Sequence, residues 1–496
     1  MAKQSFLWCS LLFVLFSCQK QTDGIKNLTF AEDDYYVVET DSVTLTPEYV
    51  SVESETPSFV WSSSSPSVAT VDNNGKVKGL VTGSTTITVQ LASDASVKAT
   101  CTLTVIHGGT QQNPYLIYDV GDLEAMRDSV NKKNSVYGSR VYKLMADIDF
   151  VGDTSWVPIG NKYIAPFSGV FDGNGKTIRN ICIGSAGSAA APDYAGLFGY
   201  VNGGTVKDLT VNWTVFNANS VSGGIAAVAL NAVVSNCSTT GDISGSDYAG
   251  GITGSGSGTI SACHAAGNVT AVNYAGGITG SVDGSVYNCY ATGNVTGKIY
   301  AGGVAGGGGG CFVNCYAAGN VTGAAYAGGV IAYVTISGVT VANCYATGGV
   351  SGGTYSGGII GAGFYSGNIS NCYASGNISG GGYAGGIAGY LGLGGVTYCL
   401  ALSGSVASSG AVVTRVAGLE SVAAAGNNYA ASTMVVSNAS GTVTDFSDGK
   451  ANGTILTGNA ADRLNAFVSA NSAVNGISLK GWTVRSGINN GYPVFQ

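Results

Sequence analysis

Residues 274–297 read YAGGITGSVDGSVYNCYATGNVTG, and nearly the same text returns as YAGGVAGGGGGCFVNCYAAGNVTG over 300–323 and as YSGGIIGAGFYSGNISNCYASGNISG over 355–380. Seven cysteines mark the period: Cys237, Cys263, Cys289, Cys315, Cys344, Cys372 and Cys399 are separated by 26, 26, 26, 29, 28 and 27 residues. Self-similarity at such a period is the signature of a stacked array. Within one unit the apolar residues fall in three short runs, 276–278, 286–291 and 294–296, parted by glycine or serine and without helical period. Glycine occupies 78 of 496 positions, which disfavours helix and suits tight turns between short strands. Each unit therefore predicts one three-strand coil of a right-handed parallel β-helix, and the chain as a whole an all-β protein.

Coils of a parallel β-helix stack at about 4.8 Å, so equivalent residues form continuous ladders along the axis. The cysteine ladder extends upward through Leu209 and Ile181, which makes it an inward apolar position where cysteine acts as a small hydrophobe. Nine such rungs give a rod of roughly 40 Å. One place earlier stands an asparagine ladder, Asn180, Asn236, Asn288, Asn314, Asn343 and Asn371, interrupted by Asp208, Ala262 and Tyr398. Stacked amides satisfy one another along the axis. One place later come Tyr290, Tyr316, Tyr345 and Tyr373, turned by strand alternation to the face opposite the cysteines. A second tyrosine series, Tyr194, Tyr248, Tyr274, Tyr300, Tyr326, Tyr355 and Tyr383, opens the units.

The ends have other textures. In MAKQSFLWCSLLFVLFSC, Lys3 precedes an apolar stretch too short to cross a bilayer and laid out as a signal peptide, residues 1–17. Leu15-Phe16-Ser17-Cys18 resembles a bacterial lipobox, which implies acylation of Cys18 and, with Gln19 following, anchoring in the outer membrane. Ordinary secretion, with Cys9 and Cys18 inert, is the alternative. After a linker at 18–26, residues 27–107 alternate in period two between turn signals such as Asn73-Asn74-Gly75, the pattern of a small β-sandwich. The run WSSSSPSVATVDNNGKVKGLVTGSTTITV resembles a bacterial immunoglobulin-like group 2 domain, a surface spacer or adhesive module in that family. Residues 108–175 hold an amphipathic helix with Leu123, Met126 and Val130 on one face, expected to cap the open end of the β-helix of 176–400. Residues 401–496 are expected to form irregular last coils and a second cap, with a helix near Leu464 and with Trp482, Pro493 and Phe495 plugging the bottom.

The repeated YAGG and NCYATGNV blocks, with DIDFVGDTSWVPIG and FSGVFDGNGKTIRNI ahead of them, resemble the GLUG-motif family of bacterial surface proteins over about residues 108–496. That resemblance implies a parallel β-helix and surface residence. Similar repeats occur beside metallopeptidase domains, but this chain has no HExxH.

Between Cys237 and Cys399 the charged side chains are Asp242, Asp247, Asp283 and Lys298. Glycosidic cleavage generally takes two opposed carboxyl groups, and elimination on acidic sugars needs cations or basic residues, so the coils offer neither machinery. The remaining catalytic candidates are Glu124, Asp147, Asp149, Asp153 and Asp172, with turn and cap chemistry as the competing reading. His107 and His264 do not make a histidine-rich metal site, and Cys311 with Cys315 lacks a second pair, so no metal and no cofactor are expected. Stacked in-register cysteines lie too far apart for ready bridging, which favours free thiols. A net charge of −7 argues against nucleic acid.

The sequence thus predicts a non-catalytic surface lipoprotein, an adhesin or a binder of an extracellular glycan or host protein, with Tyr290, Tyr316, Tyr345 and Tyr373 as an exposed stacking platform. A polysaccharide-processing enzyme and a purely structural stalk are the alternatives.

Overall fold

A computed structural model describes residues 25–39, 41–50, 57–106, 108–132, 135–151, 155–161, 165–184, 191–334, 336–410, 412–419, 424–447 and 449–496. Cys18, His107 and Asp153 lie outside the described residues. The chain forms two compact units, Met1–Gly108 and Gly109–Gln496.

The first unit is a sandwich. Asp34–Val38, Asp94–Ile106, Gly83–Leu91 and Phe59–Ser63 form one sheet in that spatial order, and Ser42–Thr44, Lys76–Gly79 and Ala69–Val71 form the other. Alternation works as period-two patterning requires: Thr85, Ile87, Val89 and Leu91 point inward from one strand. Val37, Leu45, Val77, Cys101, Leu103 and Val105 complete the core, with Trp61 packed against it. At the Asn73-Asn74-Gly75 turn, Asp72 accepts the backbone N–H groups of Asn74 and Lys76.

The second unit is a β-solenoid of about eleven turns, or roughly 50 Å at the usual strand spacing. In the coil that starts at Tyr274, strands span Tyr274–Gly276, Thr279–Tyr287, Tyr290–Ala291 and Val295–Gly297. Each pairs in parallel with its counterpart one coil on, Tyr274 with Tyr300, Tyr290 with Tyr316 and Val295 with Val321. The expected run at 286–291 is therefore two strands with a corner between them. That corner is the asparagine ladder. Asp208, Asn236, Ala262, Asn288, Asn314, Asn343, Asn371, Tyr398 and Asn427 all have φ between +52° and +57°, whereas Asn180, expected at the head of this ladder, lies further along its strand, beside Ile181, which pairs with Trp213. Asparagine tolerates the left-handed region better than other residues with a side chain, and this explains its recurrence at one place per coil. Its amide then bonds along the axis: Asn314 Nδ2 donates to Asn288 Oδ1 at 3.0 Å, Asn343 to Asn314 at 2.7 Å and Asn371 to Asn343 at 2.6 Å.

The glycines of YAGG have an equally local cause. A Cβ on Gly250, Gly276, Gly302, Gly328, Gly357 or Gly385 would stand 1.8–2.0 Å from the carbonyl oxygen three residues on, so no side chain fits the corner that joins the first strand to the second.

All seven ladder cysteines are fully buried, and every cysteine among the described residues is a free thiol. They do more than fill space. The backbone N–H of Cys237, Cys263, Cys315 and Cys344 donates to the Sγ of the cysteine one coil on, each at 3.4 Å. Each of these thiols in turn donates to the carbonyl two residues before it, at 3.2–3.3 Å. Below Cys399 the same role passes to Asn428, whose Oδ1 accepts the Cys399 N–H at 2.9 Å. Burial drives the thiols toward the neutral form, well above the ordinary cysteine range at Cys237, Cys289, Cys344 and Cys399.

Three expectations are corrected here. Coils begin at Tyr115–Ile117 and Val141–Leu144, inside the region expected to be a cap, and continue beyond Cys399, so nine turns become about eleven. The helix α1, Val120–Val130, does bury Leu123, Met126 and Val130 in the core shared with those first coils. Leu209 pairs with Cys237, but one coil up it pairs with Lys176 and not with Ile181, whose partner is Trp213, because residues 170–172, and not 177–179, lie above 205–207. Trp482, Pro493 and Phe495 do not plug the bottom. The last coil is closed instead by the segment carrying Val443, Phe446 and the short helix α2, Gly449–Asn452, with the Arg415 guanidinium 4.3 Å from the Phe446 ring centroid.

Ala262 holds a left-handed corner without the amide that favours it. Ala262→Asn is expected to raise stability by about 1 kcal/mol, seen as a higher denaturation midpoint. Cys289→Ala leaves the Cys263 N–H without its acceptor inside the bore and is expected to cost about 1–3 kcal/mol, measured in the same experiment.

Candidate ligand-binding faces

Two rows of aromatic rings run along the solenoid, and the backbone register makes both. His264, Tyr290, Tyr316, Tyr345 and Tyr373 stack with centroid spacings of 5.0, 4.7, 4.6 and 5.0 Å and interplanar angles of 5° or less. His264 closes the upper end, with its Nδ1 2.9 Å from Ser238 Oγ, and burial lowers its pKa. This row was expected to be an exposed platform, and the structure corrects that. Tyr345 is 5% exposed and Tyr373 is 0% exposed.

The cover is the C-terminal strap that follows helix α3, Ala460–Asn471. Trp482 and Phe495 pack edge-on against Tyr345. Asn489 Nδ2 donates to the Tyr373 hydroxyl at 2.6 Å, and that hydroxyl donates to the Pro493 carbonyl. The strap is also tied to the asparagine ladder: Lys480 N–H donates to Asn314 Oδ1 at 3.1 Å, Asn343 Nδ2 to the Lys480 carbonyl at 3.0 Å and Trp482 Nε1 to Asn343 Oδ1 at 2.7 Å. The residues expected to plug the end thus shield one side of the coil. Burial pushes the Tyr316 phenol up to about 12 and those of Tyr345 and Tyr373 further still.

The strap stops short of the upper rungs and leaves a cleft of about 340 Å³. Tyr290, Tyr316, Asn288 and Asn314 form its solenoid side, with Tyr345 deeper in. Lys480, Arg485, Ile488, Val494 and Phe495 form the strap side. Lys480 Nζ lies 5.5 Å from the Phe495 ring centroid.

The second row is open. Tyr248, Tyr274, Tyr300, Tyr326, Tyr355 and Tyr383 stack at 5.0, 4.4, 4.8, 5.1 and 5.1 Å, and all six are half-buried. Tyr194 stands outside the stack because its partner one coil on is Val221. Tyr333 packs against Tyr300 and Tyr326, and Phe364 and Tyr390 pack against Tyr355, so a broader aromatic band covers the lower coils. Beside Tyr248, Tyr274 and Tyr300 the adjoining column holds only Ser255, Ser281 and Gly307. In both rows the ring faces are occupied by neighbouring rings, so the open row offers ring edges rather than ring faces to a ligand. Repetition in the sequence identifies such a row but not which row is covered.

The acidic candidates of the lead-in are tied up in local structure. Arg179 reaches Asp147 at 3.2 Å and Asp149 at 3.4 Å. Lys207 reaches Asp172 at 3.0 Å, and Asp172 also accepts the Asn174 N–H within its turn. Glu124 pairs with Arg127 at 3.2 Å. Cys311 accepts a hydrogen bond from Asn475 at 3.3 Å and faces the strap rather than Cys315. Among the described residues no group of three or more His, Cys, Asp or Glu is placed to hold a metal, and no helix is long and apolar enough to cross a membrane.

Residues 27–110 match the family described as bacterial Ig-like domain (group 2). The chain is 32% identical over 205 residues to halomucin of Haloquadratum walsbyi, an alignment that covers 35% of this chain and 2% of that far longer protein. Among solved structures, it is similar to a crystal structure from Bacteroides ovatus provisionally assigned as an immunoglobulin A1 protease. That similarity has a TM-score of 0.34 and 21% identity, covering 78% of this chain and 94% of the other. The N-terminal unit is thus an immunoglobulin-like domain of the bacterial group 2 type, joined in one chain to a β-solenoid.

Proposed function

We propose that this is a cell-surface protein that holds an extracellular glycan or host ligand by side chains of its repeats, without chemistry on it. The open row from Tyr248 to Tyr383 is the observation that carries this reading. Six phenol edges recur at the coil spacing along one side. A linear polymer laid along the axis meets the same group at each rung, so weak contacts add through effective concentration. Rings with polar tips give contact area at low entropic cost together with hydrogen bonding. The acidic groups of the lead-in are neutralised by Arg179 and Lys207, which favours binding over hydrolysis.

The immunoglobulin-like domain and the likeness to halomucin support residence at the cell surface. Within this proposal the chain is tethered to the outer membrane by lipid on Cys18, and its coils are GLUG-type repeats.

The full chain is expected to retain linear glycans or a host glycoprotein on an array. Replacing Tyr274, Tyr300 and Tyr326 together by phenylalanine keeps the rings stacked and removes three hydroxyls, and is expected to weaken retention at least several-fold. Undiminished binding by that variant removes the row from recognition. Absence of any retained ligand favours the structural stalk. Cys18→Ser is expected to abolish incorporation of labelled palmitate into the protein in cells and to release it from the membrane fraction.

A further inference from the structure

We infer that the cleft between the strap and the upper rungs of the covered tyrosine row is a second binding site, specific for a carboxylate-bearing sugar residue. The inference goes beyond the reading above: it concerns a different sheet and stands even if the open row binds nothing.

The argument starts from what the cleft offers. The Asn288 amide spends its oxygen on Asn314, and its NH₂ points along a ladder that ends one coil up, where Ala262 has no amide to receive it. Among the described residues the Tyr290 and Tyr316 hydroxyls have no hydrogen-bond partner. Lys480 and Arg485 take no part in the ion pairs of the described residues, which gather at Arg127, Arg179 and Lys207. Five groups able to donate hydrogen bonds, two of them cationic, thus line one cleft of about 340 Å³, and no carboxylate lines it. A donor-rich wall selects an acceptor-rich ligand, and two cations select an anionic one.

The surroundings sharpen this. The protein carries a net charge of −7, yet the coils from Gly284 to Cys399 contain no carboxylate, so nothing on the solenoid side competes for the two cations. The planar guanidinium of Arg485 suits a carboxylate in two-point contact. Ile488, Val494 and Phe495 supply an apolar wall for the C–H face of a sugar ring, while the phenols and the amide meet its hydroxyls. The volume lies at the small end of ligand sites, enough for a sugar unit and not for a folded partner.

The full chain is titrated calorimetrically with an oligosaccharide ending in a uronic acid, with its neutral hexose counterpart, with a sulfated counterpart and with a short Glu-rich peptide. The uronic-acid ligand alone is expected to bind, more weakly at higher salt. Arg485→Gln and Lys480→Gln, both at exposed strap positions, are each expected to weaken it by about tenfold. Tyr290→Phe is expected to weaken it less, and the triple variant of Tyr274, Tyr300 and Tyr326 not at all, which separates this site from the open row. Equal binding of the neutral sugar, the sulfated sugar or the peptide overturns the carboxylate-sugar assignment. No binding of the uronic-acid ligand, or full affinity in Arg485→Gln, overturns the site itself.

Discussion

Parallel hydrogen bonding from one coil to the next forces each side chain to lie above its own equivalent at about 4.8 Å, and every other feature of the solenoid has to satisfy that constraint. A residue can recur at a position only if it is compatible with itself. Asparagine is, because its amide donates upward and accepts from below. Cysteine is, because its sulfur accepts a backbone N–H from the neighbouring coil while its S–H donates within its own. Tyrosine is, because its rings stack. A charged residue is not: two like charges at that spacing repel by about 1 kcal/mol in water and roughly 3–4 at a protein surface. The near absence of charge from the repeats follows from stacking geometry before any question of ligand arises.

The same constraint sets what the aromatic rows can recognise. Rings held parallel along the axis cover each other's faces, so a long tyrosine ladder is not a stacking platform for sugar rings. It is a line of phenol edges. The two rows are nearly alike in sequence and differ in exposure because the non-repeating C-terminal residues cross one and not the other. Lys480 and Trp482 bond to the ladder amides of Asn314 and Asn343, Asn489 bonds to the Tyr373 hydroxyl and Phe495 packs on the Tyr345 ring, all on coils more than a hundred residues earlier in the chain.

That contrast explains what was legible in the sequence. The coil, its three runs, the inward thiols and both tyrosine rows follow from period and alternation, which are local. The left-handed corner was within reach: asparagine recurring once per coil between two apolar runs is the mark of positive φ, and Asn427 continues it beyond the last cysteine. The role of sulfur as an acceptor was less so, since cysteine at an apolar position reads as packing alone. The register of residues 170–183 against 205–216 and the path of the strap were not legible. The first hides behind similar text aligned without a gap, and the second depends on contacts between a unique segment and the repeat, for which periodicity gives no rule.

Repeats supply a regular surface, and asymmetry has to come from where the pattern breaks. Ala262 breaks the amide ladder and leaves the Asn288 NH₂ unpaired. His264 ends the ring stack one rung above Tyr290. The strap ends its cover at the same level and brings Lys480 and Arg485 against solenoid side chains that carry no charge. Three interruptions, each minor alone, coincide within two or three coils, and together they turn a uniform face into a cleft with a preferred sign of charge. Specificity in such an array is most economically placed at the edges of its repetition, because a change there alters one site, whereas a change within the repeat must be compatible with itself at every rung.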